Sequence, residues 1–198
     1  MTYENRVAVI IGSAACLWDD LDHFEAIAEK MGWKWDAVAV NHAGLAINHP
    51  IEHWVSCHPI LIHHFREARR CYTHHTLGEN GPMITHGPRG RTGQDLTDKT
   101  YDVSSEVMGN SALFGIWCML HLGYERVVLA GIPFDGNRTF YHPKQMQPEH
   151  SDDIRHIRLM WSSAATNGDW VGKVFSMSGW TAALLGTLED PSPVETEV

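Results

Sequence analysis

Gly12, Ser13, Ala14 and Ala15 follow the apolar run Val7-Ala-Val-Ile-Ile11, and side chains this small let a ligand approach the backbone. A helix starting just after such a turn, capped at Asp19 or Asp20, would aim free N–H groups and the positive end of its dipole at an anion. A second small-residue turn, Gly131-Ile-Pro-Phe-Asp135, follows a second apolar run, Arg126-Val-Val-Leu-Ala130. The chemistry suggested is the holding of an anionic or nucleotide ligand. The other reading is a tight strand-to-helix turn with no ligand. With a single glycine in the first turn, neither G-x-G-x-x-G nor a Walker lysine motif is present, which disfavours ordinary dinucleotide dehydrogenases and P-loop enzymes. The expected place for the ligand is over Gly12 and Ser13, near Asn41 and Ser111, and a Gly12→Leu change is expected to abolish binding while leaving the fold intact.

Other reactive side chains are present without a pattern that commits them. Among 14 histidines, His63-His64 and His74-His75 are adjacent pairs that project in different directions on a regular element, and no H-E-x-x-H occurs, so no dedicated zinc site is expected. No G-x-S-x-G supports Ser-His-Asp hydrolysis. A basic strip, Arg66, Arg69, Arg70, Arg89 and Arg91, could serve one anionic ligand or be a solvated helix face and loop. The tryptophans read mostly as core, with Trp180 the one expected at a ligand edge.

The elements that must position these groups read as β-α-β-β-α at the start. Strand patterns cover Arg6 to Ile11, Lys34 to Val40 and His53 to Cys57. Helix patterns cover Asp19 to Met31, ended by Gly32, and the segment from Pro59 onward. From Tyr72 to Val107 glycine and proline punctuate the chain and only Met83 to His86 suggests a strand; so long an irregular span could fold over a ligand. Ser111 to Leu122 is a nearly all-apolar helix, too short to span a bilayer and so a buried one. Arg126 to Ala130 is a fully buried parallel strand. A helix from about Pro148 to Thr166, a strand Lys173 to Ser176 and a short helix through Leu185 complete the pattern. The fold class is α/β, a Rossmann-like three-layer sandwich with a mostly parallel sheet: one nucleotide-binding domain over 1–186 and a disordered acidic tail over 187–198.

At 198 residues the chain is long enough for one full α/β core. Its formal charge of −9 argues against a broad nucleic-acid surface. Four scattered cysteines with no CxxC pair read as reduced thiols of a cytoplasmic protein, and no membrane segment or secretion signal is expected.

Four segments, "IIGSAACL", "VAVNHAG", "GNSALFGIWCMLHLGYERVVLAGIPF" and "HSDDIR" with "KVFSMSGWT", resemble in order the Rossmann-like superfamily of bacterial CMP-sialic-acid-dependent sialyltransferases and 6-hydroxymethylpterin diphosphokinase-like proteins, which includes many phage and bacterial members of unassigned activity. The resemblance covers roughly two-thirds of the chain, and the third segment is the most specific. It implies a ligand cradle of Gly12, Ser13, Ala14, Asn41, Asn110, Ser111, Gly131 and Asp135. It also implies that His150 is the base, that Tyr141 acts on the leaving phosphate, and that His142 competes for either role. Departures are Ser13-Ala-Ala-Cys16 where the family prefers Gly, Pro and Ser, Ala112 in place of a glycine, and Pro133 in place of an aspartate. The implied function is a glycosyltransferase-like transferase with a nucleotide-sugar donor and a small-molecule or glycan acceptor. The alternatives are an ATP-dependent diphosphokinase of a small hydroxymethyl compound, for which Mg2+ would be the cofactor and Asp135 the substitute carboxylate, or a non-catalytic nucleotide-binding or sequestering protein. A homo-oligomer is compatible with all three.

Overall fold

A computed structural model describes residues 3, 5–72, 83–104, 107, 109–135, 151–166 and 170–188. Seven strands run parallel in one sheet: β1 (Arg6–Ile11), β2 (Lys34–Val40), β3 (Ile51–Val55), β4 (Ile84–Pro88), β5 (Lys99–Tyr101), β6 (Arg126–Ala130) and β7 (Val174–Ser176). Their order across the sheet is β5-β4-β3-β2-β1-β6-β7. The helices are α1 (Leu17–Met31), α2 (Pro59–Tyr72), α3 (Ser111–His121), α4 (Ser151–Thr166) and α5 (Gly179–Leu185). This is the α/β sandwich that the alternation of strand and helix patterns implies.

Alternation along β1 divides its side chains between two cores, as the two-residue period of a strand requires. Val7, Val9 and Ile11 face the helices α1 and α2, packing on Leu17, Leu21, Phe24, Ile27 and Phe65. Ala8 and Ile10 face the other layer, against Leu113, Phe114, Ile116 and Met119 of α3 and Trp161 of α4. The assignment of helices to faces follows from the handedness of parallel crossovers. The chain steps outward from β1 to β4 in one direction, putting α1 and α2 on one face. It reverses direction to reach β6 and β7, putting α3 and α4 on the other.

The reversal lies between β1 and β6, which pair with each other while the chain leaves them in opposite directions. In open α/β sheets ligand crevices lie at such a point, outside the carboxyl ends of the strands.

Several local expectations are corrected. The N-cap position of α1 is Cys16, with no side-chain cap hydrogen bond, so neither Asp19 nor Asp20 caps it; Gly32 does terminate it, in the left-handed conformation. Within the span from Tyr72 to Val107 the described residues hold two strands, where the sequence pattern suggests one. Thr97 and its neighbours turn the chain so that β5 pairs with β4, and Gly93 sits against the start of α2, where an added Cβ would lie 2.6 Å from Ile60 backbone atoms. Its described part extends the sheet and packs on α2, and does not fold over the crevice. Leu188, inside the span expected to be a tail, is buried in the α1 and α2 core.

Candidate functional site

At the carboxyl edge, β1 and β6 leave the sheet in contact with each other. Gly12 N–H donates to the Ala130 carbonyl at 2.8 Å and Ala14 N–H to the Gly131 carbonyl at 3.0 Å. A Cβ at Gly12 would lie 2.3 Å from the Gly131 carbonyl oxygen and 2.4 Å from Ile132 Cγ1. The glycine is therefore required by the neighbouring backbone, which corrects the expectation that a bulky residue there would spare the fold. Both amides on either side of Ser13 are spent on this contact. Gly131 itself has φ 68°, which only glycine adopts without strain.

Asp20 completes the junction from α1. Its carboxylate is buried and accepts from the Gly131 N–H at 2.8 Å and the Ser178 hydroxyl at 2.8 Å. The negative charge at the start of α1 is thus supplied by the protein's own side chain, which ties the exits of β6 and β7 to the helix. Cys16, beside Asp20 and Ser178, has its thiol pushed up to about 11, chiefly by burial, so it is not a nucleophile at neutral pH.

Outside this junction lies a cavity of about 280 Å³ lined by the ends of β1, β2 and β6, the start of α3 and one face of α4. It brings together all eight residues of the expected cradle: Gly12, Ser13, Ala14, Asn41, Asn110, Ser111, Gly131 and Asp135. The backbone at its rim is held in unusual conformations. Asn41 at the end of β2 has φ 48°, and Phe134 beyond β6 has φ 45°, a costly conformation for an aromatic residue. Each is fixed from outside. Trp54 Nε1 donates to the Asn41 carbonyl at 2.9 Å, and the Trp54 ring fills the space that a Cβ on Gly44 would need. Arg158 Nε donates to the Phe134 carbonyl at 2.8 Å, while the Phe134 ring packs edge-on against Trp161 at 5.1 Å.

Two polar groups at the start of α3 are partly committed to structure. Asn110 Oδ1 accepts from the N–H groups of Ala112 and Leu113 and so caps the helix, and Ser111 Oγ accepts from the Cys57 N–H at 3.0 Å. The Ser111 hydroxyl also hydrogen-bonds the Cys57 thiol, so what remains toward the cavity is the donor capacity of the Asn110 amide nitrogen. Asn41 is different. Its Oδ1 is buried and has no hydrogen-bond partner, a state shared among the described residues only by Trp161 Nε1.

The other expectations divide. Arg69 of the basic strip is buried and donates to the carbonyls of Gly44, Ile47 and His49, so it clamps the chain after β2 and is not an anion site. Arg89 pairs with Asp102 at 3.4 Å on the surface. Trp180 lies under Arg158 at 5.2 Å and packs on the α3 and α4 core, and does not line the cavity. His150, Tyr141 and His142 lie outside the described residues, as do the His74-His75 pair. Sequence reasoning missed His42, Phe134, Ile154 and Ile157, all of which line the cavity. The two isoleucines could have been found from their three-residue spacing on a predicted helix; the positive φ of Phe134 has no sequence signal. No family model matches this sequence, and no curated protein or solved structure matches it either.

Proposed function

We propose that the cavity between the ends of β1, β2 and β6 binds a nucleotide or nucleotide-sugar, and that the protein is a glycosyltransferase-like transferase. The observation that carries the reading is the unpartnered Asn41 Oδ1, buried at the rim of a cavity placed where the sheet reverses direction. An acceptor left without a hydrogen bond in a protein interior costs about 1 to 3 kcal/mol. A turn of the Asn41 side chain toward the cavity would let a ligand hydroxyl or amino group repay that cost, and a ribose or a base edge carries both. A donor toward the same ligand comes from Asn110 Nδ2 at the positive end of α3.

The transfer step rests on the resemblance. Asp135 and Ile154 both line the cavity, and the stretch of sequence between them carries Tyr141, His142 and His150. His150 would take the acceptor's hydroxyl proton and Tyr141 would donate to the leaving phosphate, with His142 the substitute for either. Asp135 at the rim favours a second reading, diphosphate transfer from ATP, in which it would hold Mg2+.

Mass spectrometry of small molecules retained by the purified protein, followed by calorimetry with the candidate found, tests the proposal. A retained nucleotide or nucleotide-sugar that binds without metal supports the first reading. Tight binding of ATP only with Mg2+ would move the assignment to the second, and failure of nucleosides, nucleotides and nucleotide-sugars to bind would remove both.

A further inference from the structure

Away from the cavity, on the α3 face of the sheet, five adjacent strands carry polar side chains that touch in sequence. Arg6 on β1 pairs through two nitrogens with the Asp36 carboxylate on β2. Tyr124, just before β6, donates its hydroxyl to Asp36 Oδ2 at 2.7 Å. His53 Nε2 on β3 lies 3.0 Å from the Tyr124 oxygen, His53 Nδ1 lies 2.9 Å from His86 Nε2 on β4, and His86 Nδ1 lies 2.9 Å from the Tyr101 hydroxyl on β5. Asp36, His53, His86 and Tyr124 are each no more than 2% exposed.

The protons in this chain have only one arrangement. Tyr124 spends its single proton on Asp36, so its oxygen must accept from His53, which fixes a proton on His53 Nε2. In the neutral ring Nδ1 is then an acceptor, so His86 carries its proton on Nε2. His86 Nδ1 in turn accepts from the Tyr101 hydroxyl. All donors run one way, from Tyr101 to Asp36, and every site is satisfied with both imidazoles neutral.

We propose that this chain is an acid-sensitive latch that holds the β4 and β5 edge to the rest of the sheet. A proton added at His53 Nδ1 confronts the His86 N–H across 2.9 Å, and a proton at His86 Nδ1 confronts the Tyr101 hydroxyl. One added proton can be relieved by reversing the Tyr101 end. A second cannot, because two imidazolium rings would then face each other with no acceptor between them. The contact that fails joins β3 to β4.

The surroundings reinforce this. Burial is the main cause that pushes His53 down to about 4 and His86 to about 3, and Lys99 on β5 lowers both while Arg6 lowers His53. Opposing them, Asp36 is the largest charge effect on His53 and favours its charged form, though less than burial disfavours it, and Asp98 has the smallest effect on His86. Tyr3 covers the chain, stacking on Tyr124 at 4.4 Å and tilted on His53 at 5.8 Å. From α3, Cys118 and His121 face Tyr101, the His121 ring edge-on at 5.9 Å. When the edge opens, each imidazole regains the ordinary histidine range near 6.5, so opening takes up protons and becomes easier as the pH falls from about 6.5 toward 4.

Hydrogen exchange followed by mass spectrometry on the full chain tests the latch. Corrected for intrinsic exchange, protection of 84–101 is expected to fall about tenfold or more between pH 7 and pH 4.5, ahead of any loss in 6–11 and 126–130. His86→Gln supplies a donor and an acceptor without a titrating proton and is expected to hold the edge at pH 4.5. Should that variant not fold, Tyr101→Phe, which removes the hydroxyl that bonds His86 Nδ1 and so weakens the closed edge, is expected to open at a higher pH than wild type. Nitrogen chemical shifts of both rings are expected to show the Nε2–H form at pH 7. The latch is wrong if edge protection is the same at both pH values or falls in step with β1 and β6. It is equally wrong if His86→Gln opens like wild type, if Tyr101→Phe opens no earlier, or if either ring carries its proton on Nδ1.

Discussion

The carboxyl-edge cavity and the polar chain beneath α3 treat buried polar groups in opposite ways. In the chain, six side chains from β1 to β5 and the β6 approach match every donor to an acceptor. At the cavity, Asn41 is held in a left-handed conformation with a buried side-chain oxygen that has no hydrogen-bond partner. A matched network specifies which strands are neighbours, because a shifted register leaves its members unpaired. An unmatched acceptor beside strained backbone costs stability that the fold has to supply elsewhere. The comparison teaches that buried polarity alone does not mark a site, and that an uncompensated atom points to one only where a cavity lies beside its residue, as at Asn41 and not at Trp161.

The largest effect should come from the junction that supports the cavity. Gly12→Leu is expected to abolish cooperative unfolding altogether, because the new Cβ meets the Gly131 carbonyl at 2.3 Å and backbone on both sides would have to move. Circular dichroism melts read this directly, and a cooperative melt near that of wild type would mean the two strand exits are looser than the structure has them.

Next comes the matched chain. Tyr124→Phe removes the donor to Asp36 and the acceptor of the His53 N–H at once, and should cost about 2 to 4 kcal/mol in urea denaturation. A loss under about 0.5 kcal/mol would show that the network is not what orders these strands. The same chain sets a pH dependence of global stability. His53 and His86 have lowered pKa values in the folded protein, so unfolding takes up protons. Their contribution is complete above about pH 6.5 and is lost as the pH falls toward 4. Urea midpoints should therefore drop between pH 7 and pH 5, and less so in His86→Gln.

Asn41→Gly sharpens the contrast from the other side. Glycine keeps the positive φ and removes the orphan oxygen, so stability should stay level or rise while affinity for the retained ligand falls about tenfold. Titration calorimetry beside thermal melts separates the two readouts; a stability loss with unchanged affinity would make Asn41 structural. The smallest effect is expected from Asn110→Ala, which loses the α3 cap and about 1 kcal/mol.

Much of the fold could be read from hydrophobic period alone. β1 and β6 follow from the unbroken apolar runs Val7 to Ile11 and Val127 to Ala130, and the second half of β2 from Ala37 to Val40, since central parallel strands are buried on both faces. β5 could not be read in this way, for Lys99-Thr-Tyr101 is short and half-polar, and its place is set by Asp98, which accepts from both the backbone and the hydroxyl of Thr85 on β4. At the site, small residues at strand ends did locate the cavity walls. Their physical reason was not legible: Gly12 is small for the sake of Gly131, Asp20 points inward to the same residue, and both depend on two segments more than 100 positions apart in the chain. The polar chain was invisible for the same reason, because its members are single residues on separate strands.

Among the described residues the sheet ends at both sides in strands of only three residues, β5 and β7. A parallel sheet whose central strands, β1, β2 and β6, are largely apolar would offer a template to any other chain if one of those strands were outermost. Capping each side with so brief a strand, one of them beginning at Lys99, leaves too few free backbone groups in a row to recruit a foreign strand. The protein thereby keeps a strongly hydrophobic sheet while presenting little at its margins from which aggregation could grow.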